Sequence, residues 1–348
     1  MKHLILSGST VVLLFCGVGC KDGIDSVSAG AQSKLEQEAQ SVLNVSPAIT
    51  FKTVVTKEDK KNYNAIAVMD SDGSDRTPIF IAATTAYNVY SPTWSPGAGR
   101  IAFHAAEGST ITINVISVSV VQGKPVGSDL RTIYSTTNAQ LRGLSWSPIY
   151  NKLAFISRDT GKNGINTVQV IPHYGGVPLV LYRSMTDTVH TYNSPTWSPD
   201  GSKIAFVGHI GTYNGDRNPD TLRVINAKSG ALLESVGLGE TSRTTSCDWS
   251  HAGMNTIVFD ADDFLYYVTP ISGSVAWTDK AIGRHPSWSP DNSSVITYEA
   301  GVLQKTEFNS SSTMIIDTGG FSFPEWKKAL GASNQGSIRR SGTPWSTL

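Results

Sequence analysis

The residues of this 348-residue chain that could do chemistry are few and scattered. Asp260, Asp262 and Asp263 crowd three carboxylates into four positions. Charges so close repel unless neutralised, so they are candidate metal ligands, with a solvated loop as the other reading and the one the sequence favours. A second acidic string, Asp70-Ser-Asp72-Gly-Ser-Asp75, has spaced carboxylates of the kind that suit calcium. Ile81 stands where such a loop needs its closing Glu, which leaves an Asx turn. His104 and His209 follow similar apolar strings and could pair on a metal, but without further ligands they read as loop polarity. Tyr90, Arg142 and Arg284 each stand four residues before a tryptophan. A guanidinium grips a carboxylate as a fork, so the two arginines are candidates for an anionic ligand, with solvated surface residues as the alternative. Nucleophilic and phosphate chemistry find no support. The nearest approach to a Gly-x-Ser-x-Gly elbow is Gly143-Leu-Ser145-Trp-Ser147, part of a repeated phrase, and neither a His-Glu-x-x-His helix nor a phosphate-cradling glycine loop occurs. Binding is therefore expected rather than catalysis, with no cofactor. The alternative is a carbohydrate-active or metal-dependent enzyme built on His104, His209 and the Asp260 group.

The elements that must position these residues come from a repeat. One phrase recurs at Ser-Pro-Thr-Trp94-Ser-Pro, Gly-Leu-Ser-Trp146-Ser-Pro, Ser-Pro-Thr-Trp197-Ser-Pro, Ser-Cys-Asp-Trp249-Ser-His, His-Pro-Ser-Trp288-Ser-Pro and Phe-Pro-Glu-Trp326-Lys, with spacings of 52, 51, 52, 39 and 38 residues. Periods of this length, each holding several short strands, mark propeller blades. A first strand ends at each tryptophan, a Ser-Pro-Asp-Gly type turn follows, and a second strand carries large residues two apart, as in Lys203-Ile-Ala-Phe206. Ala102, Ala154 and Ala205 let a neighbouring sheet approach the other face. Five full blades are thereby accounted for. Trp326 begins a sixth whose other three strands must come from residues 49–82, so that one blade is shared by both chain ends and no sheet edge is left open. The expected fold is all-β: a six-bladed propeller of four-stranded antiparallel blades over residues 49–330.

Strand connectivity then places the candidates. In a four-stranded meander, the links from second to third strand and from fourth to the next first strand lie on one face. The sequence predicts a long second-to-third link in the first three blades, above all the stretch through Tyr213 that runs to Pro219. Tyr90, Arg142, Arg284, His209 and Tyr213 are accordingly expected together on an insertion-rich face around the axial mouth. Cys247, two residues before Trp249, is expected as a small core residue.

The phrases Pro-Thr-Trp197-Ser-Pro-Asp-Gly-Ser-Lys-Ile-Ala-Phe206 and Ile66-Ala-Val-Met-Asp70-Ser-Asp-Gly73 resemble the repeats of the TolB-like, WD40-like propeller family. The resemblance spans residues 49–326 and implies a stand-alone propeller, without the α/β domain that precedes it in TolB, working in the bacterial cell envelope. The first residues agree with export. Lys2 and His3 precede an apolar run from Leu4 to Val18, too short for a comfortable membrane span of ~20 residues. The stretch Cys16-Gly-Val-Gly-Cys20 resembles a lipobox and implies lipid attachment at Cys20, with anchoring in the outer membrane facing the periplasm. Residues 1–20 read as the lipoprotein signal, 21–48 as a tether and 331–348 as a flexible tail. With 28 basic and 28 acidic residues the formal charge is zero, which argues against a nucleic-acid ligand. A monomer that binds an envelope protein or a small anionic ligand is the expectation.

Overall fold

The computed structural model describes residues 4–7, 10–13, 48–160, 165–183, 194–209, 220–238, 244–261, 263–269, 274–308, 310, 312–320 and 322–327. It divides into two units, Met1–Val45 and Ser46–Leu348. The first contains an antiparallel pair, β1 (Leu4–Ser7) and β2 (Thr10–Leu13). No helix among the described residues is long and apolar enough to cross a membrane. Cys20 and residues 331–348 lie outside the described residues.

The second unit is a six-bladed propeller of four-stranded antiparallel sheets. Blade six draws on both chain ends: β3 (Ile49–Thr56), β4 (Asn62–Met69) and β5 (Thr77–Ile81) pair in order behind the innermost strand β26 (Ser322–Trp326). Blade one is β6 (Asn88–Trp94), β7 (Arg100–Glu107), β8 (Thr110–Val121) and β9 (Lys124–Thr136). Blade two is β10 (Ala139–Trp146), β11 (Lys152–Asp159), β12 (Asn166–Pro172) and β13 (Leu179–Arg183). Blade three is β14 (Thr196–Trp197), β15 (Lys203–His209), β16 (Asp220–Asn226) and β17 (Leu232–Gly237). Blade four is β18 (Thr244–Trp249), β19 (Ile257–Ala261), β20 (Phe264–Thr269) and β21 (Ser274–Ile282). Blade five is β22 (Arg284–Trp288), β23 (Ser294–Glu299), β24 (Val302–Glu307) and β25 (Thr313–Asp317).

The core lies between the blades, and the repeat explains why. Trp146 and Phe155 face blade one, packing with Ala102 and Ile113, while Ala154 on the other face of β11 meets Trp197 and Phe206 of blade three. Strand alternation thus gives each blade a bulky face toward its predecessor and a small-residue face toward its successor. Cys247 is buried at the seam of blades three and four, as a small core residue should be.

Blade one corrects the expected insertion pattern. Gly108 and Ser109 alone separate its second and third strands, so its additional residues form no rim loop. They extend the outer hairpin instead, with Val121 opposite Lys124 and both turn residues, Gln122 and Gly123, at positive φ. A two-residue turn of that kind matches strand twist, and the β-branched run Thr110-Ile-Thr-Ile-Asn-Val-Ile-Ser-Val-Ser-Val-Val121 favours a long strand over a loop. That hairpin projects from the face opposite the axial mouth. The longer links belong to blades two, three and six, at residues 160–165, 210–219 and 57–61.

Candidate functional site

The site is built where the six innermost strands converge. Three residues before the tryptophan, Ser91, Gly143, His285 and Phe323 adopt φ of 50°, 51°, 52° and 53°. The strand register shifts there in blades one, two, five and six. A bulge of this kind bends the strand and re-aims a side chain, and left-handed φ at a non-glycine residue costs ~1–3 kcal/mol, sustained only where the surroundings enforce it. Ser91, Ser145, Thr196, Asp248, Ser287 and Glu325, one residue per blade, meet around an axial cavity of about 60 Å³. That space holds a few waters or a small ion, not an organic ligand.

The cavity's polar groups are committed to one another. The Trp94 amide donates to Glu325 Oε2 at 3.1 Å and Thr93 donates to Oε1 at 2.9 Å, joining blade one to blade six. The Trp249 amide donates to Thr196 Oγ1, which itself donates to Asp248 Oδ1. The Trp288 amide and the Ser287 hydroxyl donate to Asp248 Oδ2, and the Trp326 amide donates to Ser287 Oγ. The residue preceding each of these tryptophans therefore ties its blade to a neighbour. Asp248 and Glu325 act here as structural acceptors.

Above the cavity an arc of rings crosses three blades. His285 stacks with Tyr298, their centroids 5.9 Å apart, and lies 4.4 Å from Phe323; Tyr90 lies 6.5 Å from Phe323 and 5.1 Å from His104, with which it stacks. Burial holds both imidazoles neutral: His104 and His285 are pushed down to about 4, the latter also by the adjoining Arg284. Burial raises the Tyr90 phenol to about 12 against the pull of Arg142.

Several sequence expectations change in this light. His104 is no rim residue but fully buried, its Nε2 within 3.1 Å of the Gly143 carbonyl of blade two. Arg284 is paired with Asp263 at 2.5 Å, so neither is an uncommitted anion or metal ligand. Asp260 is buried and accepts the Ser246 amide at 2.6 Å. Among the described residues, no three His, Cys, Asp or Glu side chains converge as metal ligands. Asp262 and Tyr213 lie outside the described residues, and His209 is described only as the backbone end of β15, opposite Asp220. Arg142 is half-buried, with its Nη2 3.4 Å from Gln140 Oε1. In the acidic turn, Asp72 accepts both the amide and the hydroxyl of Ser74, as an Asx turn should. Sequence reasoning missed His285, Phe323 and Tyr298 as mouth residues. The available signal was the position three before the tryptophan, aromatic only in blades five and six.

No protein-family model matches the sequence. Among solved structures, TolB from Acinetobacter baumannii is similar at 16% identity with a TM-score of 0.59, over 86% of this chain and 73% of that one. A chain of a nidogen/laminin complex is similar at 7% identity and the same TM-score, over 82% of this chain and 100% of that one. Oligogalacturonate lyase from Vibrio parahaemolyticus reaches only 0.48, at 12% identity over 76% of this chain and 77% of that one, and carries no argument about activity. The fold is that of a TolB-like six-bladed propeller.

Proposed function

We propose that this chain is a non-catalytic binding propeller of the bacterial cell envelope, exported and lipid-anchored through Cys20, that receives a protein partner at its axial mouth. The observation that carries this reading is the arc of partly exposed rings Tyr298, His285, Phe323 and Tyr90, backed by the buried His104 and flanked by Arg142. Aromatic side chains and arginine are the types enriched at protein interfaces. The strained φ at His285 and Phe323 supports a role beyond packing, since such strain gathers at binding sites. Arg142 gives the mouth a cation suited to a carboxylate on the partner. The same chemistry weighs against acid–base catalysis: the two histidines stay neutral above about pH 4, and Asp248 and Glu325 are occupied by amide and hydroxyl donors.

Photo-crosslinking in intact cells tests the proposal. A photoreactive residue in place of Tyr90 or Arg142 should give a discrete adduct, and the same residue in place of Leu233, exposed on the outer strand of blade three, should not. Equal labelling from all three positions, or none from the mouth, would overturn it.

A further inference from the structure

On the face opposite the mouth, five blades join their first and second strands by a turn, and four of these turns repeat closely. Trp94 pairs with Ile101, Trp146 with Leu153, Trp197 with Ile204 and Trp288 with Val295, each seven residues on. Trp249 pairs with Ile257, eight residues on. The lengthened turn leans toward blade five. The amide of His251 donates to Asn292 Oδ1 at 2.7 Å, and Asn292 Nδ2 donates to the carbonyls of His251 and Ala252. Met254 likewise packs on the cluster shared by blades four and five.

The opposite seam is left open. In blade three, a Cβ added at Gly201 would run into Ile149 of blade two, so that turn sits tightly on its predecessor. At Gly253, the corresponding glycine of blade four, a Cβ would meet nothing within 4 Å. Between the two turns lies a cavity of about 420 Å³ lined by Pro199, Asp200, Lys203, Trp249, Met254 and Asn255. This is within the size range of specific ligand sites, unlike the axial cavity.

The lining defines what would fit. Pro199, Met254 and Trp249 supply the apolar lining, with the indole N–H of Trp249 taken up by Asn255. Trp249 is only 3% exposed, so its indole is a wall and not an open platform for stacking a sugar. The rim offers an acceptor and donors together. The Asp200 carboxylate is held below its ordinary range by Ser198 and Ser202 despite partial burial; Oδ1 accepts the Ser198 hydroxyl and the Ser202 amide and Oδ2 the Ser202 hydroxyl, which leaves one lone pair of Oδ2 for a further donor. Lys203 stands near it, and Asn255 accepts from the Trp249 indole at 3.1 Å through Oδ1, leaving its amide nitrogen as a donor. A peptide group presents one N–H and one C=O and needs both kinds of partner. The geometry points to a second binding site, between blades three and four, for an extended segment of a partner protein that inserts one aliphatic side chain while its main chain is read by Asp200, Lys203 and Asn255. This site is separate from the mouth, and its failure would leave the proposal there untouched.

The full chain can be titrated directly. Met254 is one of 5 methionines, so a ¹³C-methyl-methionine spectrum resolves it, with Met254→Leu for assignment and Met314, exposed on the outer strand of blade five, as internal control. N-acetyl-leucinamide should produce a saturable shift at Met254 and none at Met314. N-acetyl-serinamide and N-acetylglucosamine should leave Met254 unmoved, and Ala252→Trp, which fills the cavity from its exposed rim, should abolish the shift. The absence of a saturable shift in the unsubstituted protein would overturn the inference without any variant having to fold. Equal shifts with the polar compounds or at Met314, or a shift that survives in a folded Ala252→Trp protein, would overturn it as well.

Discussion

His104 shows how a polar residue is made part of a core. Its imidazole is closed in by Tyr90 and by the Gly143 carbonyl, and its proton affinity falls to about 4 from an ordinary 6.5. The unfolded chain therefore takes up this proton first, so stability is level above pH 6.5 and falls as the pH drops through the window down to 4. For His104 the loss approaches ~3 kcal/mol at the acid end as an upper bound. His285 acts in the same direction. Urea midpoints at pH 7 and pH 5 should differ clearly in the wild type and less in His104→Phe, although that variant starts weaker for want of the bond to Gly143; an unchanged pH response would refute this account. A second residue-scale test concerns Cys20. If it carries lipid, Cys20→Ser should release the protein from membranes, and a variant that still pellets with salt-washed membranes would count against anchoring by this residue.

Strands and their turns are where neighbouring blades are held in register. A Cβ at Gly230 in the outer turn of blade three would collide with the Leu181 carbonyl of blade two, one at Gly175 would press on Ile133 of blade one, and one at Gly127 would strike the Ile79 carbonyl of blade six. Close approach of a glycine, in an outer turn at Gly230 and Gly175 and within β9 at Gly127, to the preceding blade's outer strand is thus a recurring device. Gly230→Ala should cost well over the ~1 kcal/mol of φ strain that Gly253→Ala alone incurs, because both have positive φ but only Gly230 meets backbone. Comparing the two melting temperatures isolates the close approach, and equal shifts would show that it contributes nothing. Most of this level was legible in the sequence. The tryptophan spacing and the alternating second strands gave the blade count, the strand order and the shared blade, because period-two burial on both faces leaves a direct mark on residue types. Blade one was misread because its extra residues are β-branched, and length alone cannot tell an extended hairpin from a loop. Tyr90 and Arg142 were singled out by their offset from the tryptophan, which fixes their position near the start of an innermost strand. The Arg284–Asp263 pair and the burial of Asp260 depend on contacts between residues whose partners no spacing rule names.

The second unit is a ring in which each seam has its own core cluster and the last strand completes the sheet that this unit makes first. Truncation before residue 321 removes β26, uncovers Ile49, Phe51 and Ile296, and breaks the bonds that Glu325 and Trp326 make to blades one and five. It should remove much of a stability that for folded domains is ~5–15 kcal/mol, whereas deletion of residues 331–348 should leave the melting temperature nearly unchanged. Equal melting of both truncations would contradict closure by this strand. Closure through β26 also sets a clock. The strands β3, β4 and β5 are synthesised first, yet the inner edge of β3 finds its partner only when residue 326 arrives, and at ~5–20 residues per second that is tens of seconds later. Throughout that interval blade six presents a bare edge to any other nascent strand. A chain kept unfolded until it is fully made, as one exported before folding would be, passes through that interval without a sheet to protect.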